Sequence, residues 1–231
     1  MPQTNSLPRK SASAKARASE LLQRLYSYYP NPHCELNYQT PFQLLIATIL
    51  SAQCTDVRVN QVTEQLFKEY PDAASLSLAS IPEIEAIIRP TGFYHNKAIA
   101  LIEASKRIMS VYEGQVPQTM EDLLTLRGAA RKTANVVLGN AFGLNIGVVV
   151  DTHVMRLSKR FGLTTSDNPI QIERDLMALF PQQEWTHLSH LLILHGRAAC
   201  KARFSTPSCH EICQTFAVDC ACKSPLKRSR K

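Results

Sequence analysis

The sequence has no apolar run approaching the roughly 18 residues a bilayer-spanning helix needs, which excludes a transmembrane reading and leaves no membrane partner. No apolar core of the secretory-leader kind follows the N-terminus, so the expected compartment is a reducing one, the cytoplasm, and disulfides are not expected. Cysteine is missing between Cys54 and Cys200. Five of the seven cysteines, Cys200, Cys209, Cys213, Cys220 and Cys222, crowd into the last 32 residues, which points to metal or cluster ligation. Acid is missing from residues 1–19 and 223–231, which between them carry nine lysines and arginines. Without those nine, 26 bases fall to 17 against 19 acids, so the formal charge of +7 describes basic ends rather than a uniformly basic body. Sustained strand alternation is missing as well, and the run Val148, Val149, Val150 is too short to make a sheet.

What is present is helical periodicity with start signals, in a chain long enough to bury a core unaided. Thr40 and Pro41 form an N-cap and first-turn pair ahead of Phe42, Leu45, Ile46, Ile49 and Leu50 on one face. Ser80 with Glu83, and Thr119 with Asp122, have capping-box spacing, and Asn168 with Pro169 starts another helix. The fold class is all-α. Residues 1–18 read as a disordered basic arm, an organelle transit peptide of similar composition being the lesser alternative, and residues 223–231 read as a basic tail. From Arg127 to Arg160 six bases face one acid, Asp151, so a local basic face is expected there.

The chemistry centres on Leu126-Arg127-Gly128-Ala129-Ala130-Arg131-Lys132-Thr133-Ala134, a glycine turn between two helices. Such a helix-hairpin-helix aims backbone N–H groups and a helix's positive end at a phosphate; Gly128 alone equally suits an ordinary turn. Lys132 falls in the first turn of the second helix beside Arg131, where positive neighbours favour a neutral amine able to attack a sugar C1′ and hold it as a Schiff base. Contact with phosphate is the plainer role for the same residue. Asp151 precedes Thr152-His153-Val154 and would cap that helix; near a nucleophilic lysine it would also take up protons and stabilise developing positive charge. His187, His190 and His195 read as core or supporting groups, and Cys34 and Cys54 as small buried hydrophobes.

Five stretches in order resemble the endonuclease III family: Leu50-Ser51-Ala52-Gln53-Cys54-Thr55-Asp56; Gly92-Phe93-Tyr94 with Lys97-Ala98; the hairpin with Arg131-Lys132-Thr133-Ala134-Asn135; Val150-Asp151-Thr152-His153-Val154; and Leu194-His195-Gly196-Arg197. The resemblance covers roughly residues 20 to 222. It implies two helical domains flanking a DNA-binding cleft, a six-helix barrel at 34–146 and an iron–sulfur domain from residues 19–33 and 147–222. It implies a base-excision repair enzyme, a DNA glycosylase and AP lyase acting on double-stranded DNA that carries oxidised bases or abasic sites; a monomer is expected, though nothing in the sequence speaks to oligomeric state. Lys132 would be the nucleophile and Asp151 its partner; Gln53 would fill the space of a flipped base and Phe93 wedge into the opposite strand. Gly128, Ala130, Arg131 and Thr133 would meet the DNA backbone. Cys200, Cys209, Cys213 and Cys220 would hold a [4Fe–4S] cluster, with Lys201 and Arg203 as phosphate contacts nearby.

Two departures from the family pattern bear on this. Arg127 and Ala130 stand where the family usually has proline and often a second glycine, and Ala130 is expected to hinder close approach to phosphate if its φ is positive. The cysteines enclose eight, three and six residues where the family has six, two and five, which keeps Cys222 open as the fourth ligand and zinc as the metal. A monofunctional adenine-type glycosylase and a non-catalytic iron–sulfur DNA-binding protein are the competing functions.

Overall fold

The computed structural model describes residues 7–8, 10–202 and 210–218, and every regular element among them is helical. In chain order the α-helices are α1 (Ala12–Tyr28), α2 (Pro41–Leu50), α3 (Asp56–Glu69), α4 (Ala73–Ser77), α5 (Ile81–Ile88), α6 (Tyr94–Val111), α7 (Met120–Leu123), α8 (Arg131–Phe142), α9 (Thr152–Arg160), α10 (Pro169–Leu179), α11 (Trp185–Ala198) and α12 (Glu211–Phe216). A 3-10 turn at Arg89–Thr91 precedes α6. No helix among the described residues is long and apolar enough to cross a membrane.

The caps expected from the sequence form. Thr40 accepts from the Gln43 N–H, Thr119 from the Asp122 N–H, and Asn168 from the N–H groups of Ile170 and Gln171. Each satisfies first-turn donors that have no partner within the helix. At Ser80 the bond runs back instead, with Glu83 accepting from both the Ser80 N–H and its hydroxyl.

The described residues between Cys34 and Ile146 form one unit, with α2 to α8; those up to His33 and from Gly147 onward form the other, with α1 and α9 to α12. In the first unit α2 is buried from Phe42 to Leu50, and it packs against α3, α6 and α8. A helix that is apolar on every side has to be enclosed in this way. Of its seven α-helices, α7 is a single turn capped by Thr119. In the second unit Leu21, Leu25, Phe161, Leu176, Leu188 and Leu191 share one fully buried core.

The arm expected to be disordered through residue 18 is instead helical from Ala12. Ser11 caps it by accepting from the Ala14 N–H, and Ala18 is buried. Lys10 pairs with Asp175 at 2.8 Å, and Arg17 donates to the carbonyl oxygens of Phe161 and Phe216. These carbonyls lie at the ends of α9 and α12, where a helix carries partial negative charge, so bases read as a loose arm in fact fasten α1 to its unit.

Candidate nucleic-acid interface and metal centre

In the first unit the turn before α8 is built on Gly128, at φ +85. A Cβ there would stand 3.1 Å from Ile49 Cγ2 and 3.2 Å from Ala100 Cβ, so both backbone conformation and space require glycine. The concern over Ala130 does not hold: it sits at φ −84, ψ 172, extended backbone that alanine adopts freely, as the N-cap of α8. Its side chain cannot cap, so α8 starts without the side-chain cap bond that serves α2 and α9. Arg131 and Lys132 are exposed, whereas the Thr133 side chain is buried and can offer only its backbone.

The expected basic face is narrower than six residues. Arg127 pairs with Glu103, and Lys159 with Asp167. Arg156 donates to the carbonyl oxygens of Gly196 and Cys200, and Arg160 to those of Cys200 and Lys201. Arg131 and Lys132, at the start of α8, are exposed.

Two exposed residues of this unit adopt left-handed backbone without being glycine: Gln53 at φ 54, in the turn after α2, and Phe93 at φ 50, the N-cap of α6. Phe93 is 66% exposed, which rules out a place in the core. A third such residue, Glu113, lies beside Gly114 in the ordinary turn that ends α6. Left-handed strain in a bulky residue costs on the order of 1–3 kcal/mol and clusters at functional sites. Lys97 underlies both positions: it is buried, and its ammonium donates to the carbonyl oxygens of Leu50 and Thr91 at 2.9 Å each.

In the second unit the half-buried Asp151 caps α9, one carboxylate oxygen accepting from the Val154 N–H at 2.8 Å. His153 follows, its pKa lowered by burial against the opposing pull of Asp151. Gly196 admits His153: a Cβ there would come within 2.7 Å of its Nδ1.

Cys200 and Cys213 are both buried, and with His195 they bring three ligand atoms within 4.8 Å of one another. His195 Nε2 lies 3.3 Å from Cys213 Sγ and its Nδ1 lies 3.1 Å from the Tyr29 hydroxyl. Arg160 donates to Cys200 Sγ at 3.1 Å. The bond with Cys213, helped by Arg160 and opposed by burial, brings the Cys200 thiol down to about 6. Two buried sulfurs that converge, with the Cys200 thiol easily ionised, suit a metal or metal cluster, which binds thiolate rather than thiol. Cys209, Cys220 and Cys222, like Arg203, lie outside the described residues. Cys34 and Cys54 are only half-buried, so the reading of them as buried hydrophobes is corrected.

Sequence reasoning missed the contacts of Lys97, Arg160 and Tyr29. Lys97 stood in a quoted motif, but nothing in the periodicity of α6 marks a lysine as buried. Arg160 was counted toward the basic face, and its true target, a cysteine 40 residues on, leaves no local pattern.

The HhH-GPD superfamily base excision DNA repair protein family matches residues 46–182. Endonuclease III of Synechocystis sp. is 57% identical over 210 residues, 91% of this chain and 94% of that protein. Endonuclease III of Escherichia coli strain K12 is 39% identical over 189 residues, 82% of this chain and 89% of that one. Among solved structures, a trapped covalent intermediate of endonuclease III with DNA superposes with a TM-score of 0.83 at 38% identity, covering 88% of this chain and 95% of that one. With the glycine-turn hairpin, the strained Gln53 and Phe93 and the paired buried thiols in hand, the chain belongs to the endonuclease III family of the HhH-GPD superfamily of base excision DNA repair proteins.

Proposed function

We propose that the chain is a bifunctional DNA glycosylase and AP lyase, a monomer that removes oxidised pyrimidines from double-stranded DNA in the cytoplasm and cuts at abasic sites. The observation that carries this reading is Lys132, an exposed amine in the uncapped first turn of α8 directly after the Gly128 turn, in a chain of this family. A relative trapped as a covalent DNA intermediate supports a nucleophile of this kind.

In the proposed reaction Lys132 Nζ bonds to C1′ as the glycosidic bond breaks, and the base leaves with the bonding electrons and gains a proton. The C1′ to ring-oxygen bond then opens, giving a Schiff base on Lys132. Asp151 accepts and returns protons and stabilises positive charge at C1′. Loss of a 2′ proton breaks the C3′–O bond, nicking the strand on the 3′ side of the lesion, and water releases the sugar from the lysine. Gln53 fills the vacated stack and Phe93 wedges the opposite strand, where new stacking offsets an unstacking cost of about a few kcal/mol. Gly128, Ala130, Arg131 and the Thr133 backbone hold phosphate.

The buried thiols of Cys200 and Cys213 fit a thiolate-bound group, and we assign them, with Cys209 and Cys220, to a [4Fe–4S] cluster. The cluster's contribution when bound is structural, ordering the loop that carries Lys201.

The test is a labelled duplex with one thymine glycol. Base release together with a 3′-side nick is expected. Base release alone would move the reading to a monofunctional glycosylase, and neither, from folded protein, would refute it.

A further inference from the structure

Gln53 and Phe93 lie in separate turns, and on the proposed reading both act on the same damaged step of the duplex. Each holds a left-handed backbone that costs energy and relaxes unless its surroundings over-determine it. Lys97 links the two loops. Its carbonyl partner Leu50 is the last residue of α2, three before Gln53, and its partner Thr91 ends the 3-10 turn, two before Phe93. Both are end carbonyls of a helical segment, which have no partner in the helix and attract a cation. Lys97 is itself in the first turn of α6, and its own N–H donates to the Phe93 carbonyl. The side chain is 6% exposed, and this burial, eased by Cys54, lowers the ammonium's pKa. A buried charge is a costly way to join two loops where a hydrophobic side chain would pack. One ammonium donating to both loops does, however, fix their separation, which packing alone leaves softer.

We propose that Lys97 is a positioning residue for lesion extrusion, its ammonium holding the loops of Gln53 and Phe93 at the spacing that lets both side chains enter the duplex together. This rests on the repair-enzyme reading above. An abasic site has no base to unpair or unstack, so its cleavage depends less on that spacing than excision of a stacked lesion does.

The experiment compares native protein with Lys97→Met, which keeps the apolar stem and removes the donors, on thymine glycol and abasic duplexes carrying 2-aminopurine opposite the damage. The ratio of lesion to abasic kcat/KM is expected to fall on the order of tenfold, the scale of a small misplacement of working groups. The 2-aminopurine signal on binding is expected to fall with it. In a Gln53→Ala background, adding Lys97→Met is expected to lower the ratio little further, because Lys97 acts through the loops. A merely structural lysine would lower both activities equally along with thermal stability, leaving the ratio and the fluorescence unchanged, and that result overturns the proposal. If Lys97→Met does not fold, Lys97→Gln, which retains a neutral donor, takes its place: an intermediate ratio supports the proposal and a native ratio overturns it. Native protein that cuts neither duplex would overturn the functional reading itself, whereas native cleavage with an unchanged variant ratio overturns only the role of Lys97.

Discussion

Substituting Gly128 by alanine tests whether the hairpin turn is held by backbone conformation, by close packing, or by both. At φ +85 an alanine pays roughly 1–2 kcal/mol in left-handed strain. Its Cβ would also press on Ile49 Cγ2 at 3.1 Å and Ala100 Cβ at 3.2 Å, and overpacking of this kind costs about 1–3 kcal/mol. Reduced freedom of the unfolded chain returns roughly 0.5 kcal/mol. The net loss is therefore about 2–4 kcal/mol by these terms. Gly143 is the control: it has φ +68 with nothing within 4 Å of an added Cβ, so only the strain remains and Gly143→Ala should cost about 1 kcal/mol. Urea denaturation at constant m gives both values, and phosphate-dependent DNA affinity should fall only for Gly128→Ala. Equal losses at the two glycines would refute the packing half of the argument; no loss at either would refute both halves.

Other outcomes follow from single contacts. Ala130→Asp gives α8 the cap it lacks and should add about 1 kcal/mol of stability. The same carboxylate would repel phosphate, so DNA affinity measured by anisotropy should fall as thermal stability rises; unchanged affinity would mean that this turn does not meet DNA. Burial alone would raise the pKa of Asp175, but bonds from Lys10 and Thr164 hold it below its ordinary value. Its contribution is thus present above the ordinary carboxylate range and lost as pH falls through the lowered folded value. Asp175→Asn should cost about 2 kcal/mol at neutral pH and remove part of the acid sensitivity, read from denaturation midpoints across pH. Cys213→Ser should abolish iron and sulfide content and visible absorbance and destabilise the second unit; zinc in the native protein would contradict the cluster assignment.

The parts of the fold legible in the sequence are those set by local bonding. Thr40, Thr119, Asn168 and Asp151 cap where their spacing from the next apolar face says they should, because a cap is made within three residues. Helix α1 was half hidden: its buried residues start only at Ala18 and continue with Leu21, Leu22 and Leu25, and the part before them is held by Lys10 and Arg17, whose partners lie far along the chain. Gln53 and Phe93 were found through the family's motifs, since neither residue type announces left-handed backbone. The convergence of Cys200, His195 and Cys213 was legible as a cysteine cluster, but the histidine's approach depends on how α11 and α12 pack. Lys97 was invisible because its charge predicts a surface.

The measurement to make is borohydride trapping on a duplex with one thymine glycol, using native protein and Lys132→Ala after both are shown to fold and carry the same metal. A covalent protein–DNA adduct with native protein alone is expected, since only an amine on C1′ gives a reducible Schiff base. An adduct that persists in Lys132→Ala would assign the nucleophile elsewhere, and no adduct from native protein would contradict lysine-based lyase chemistry altogether.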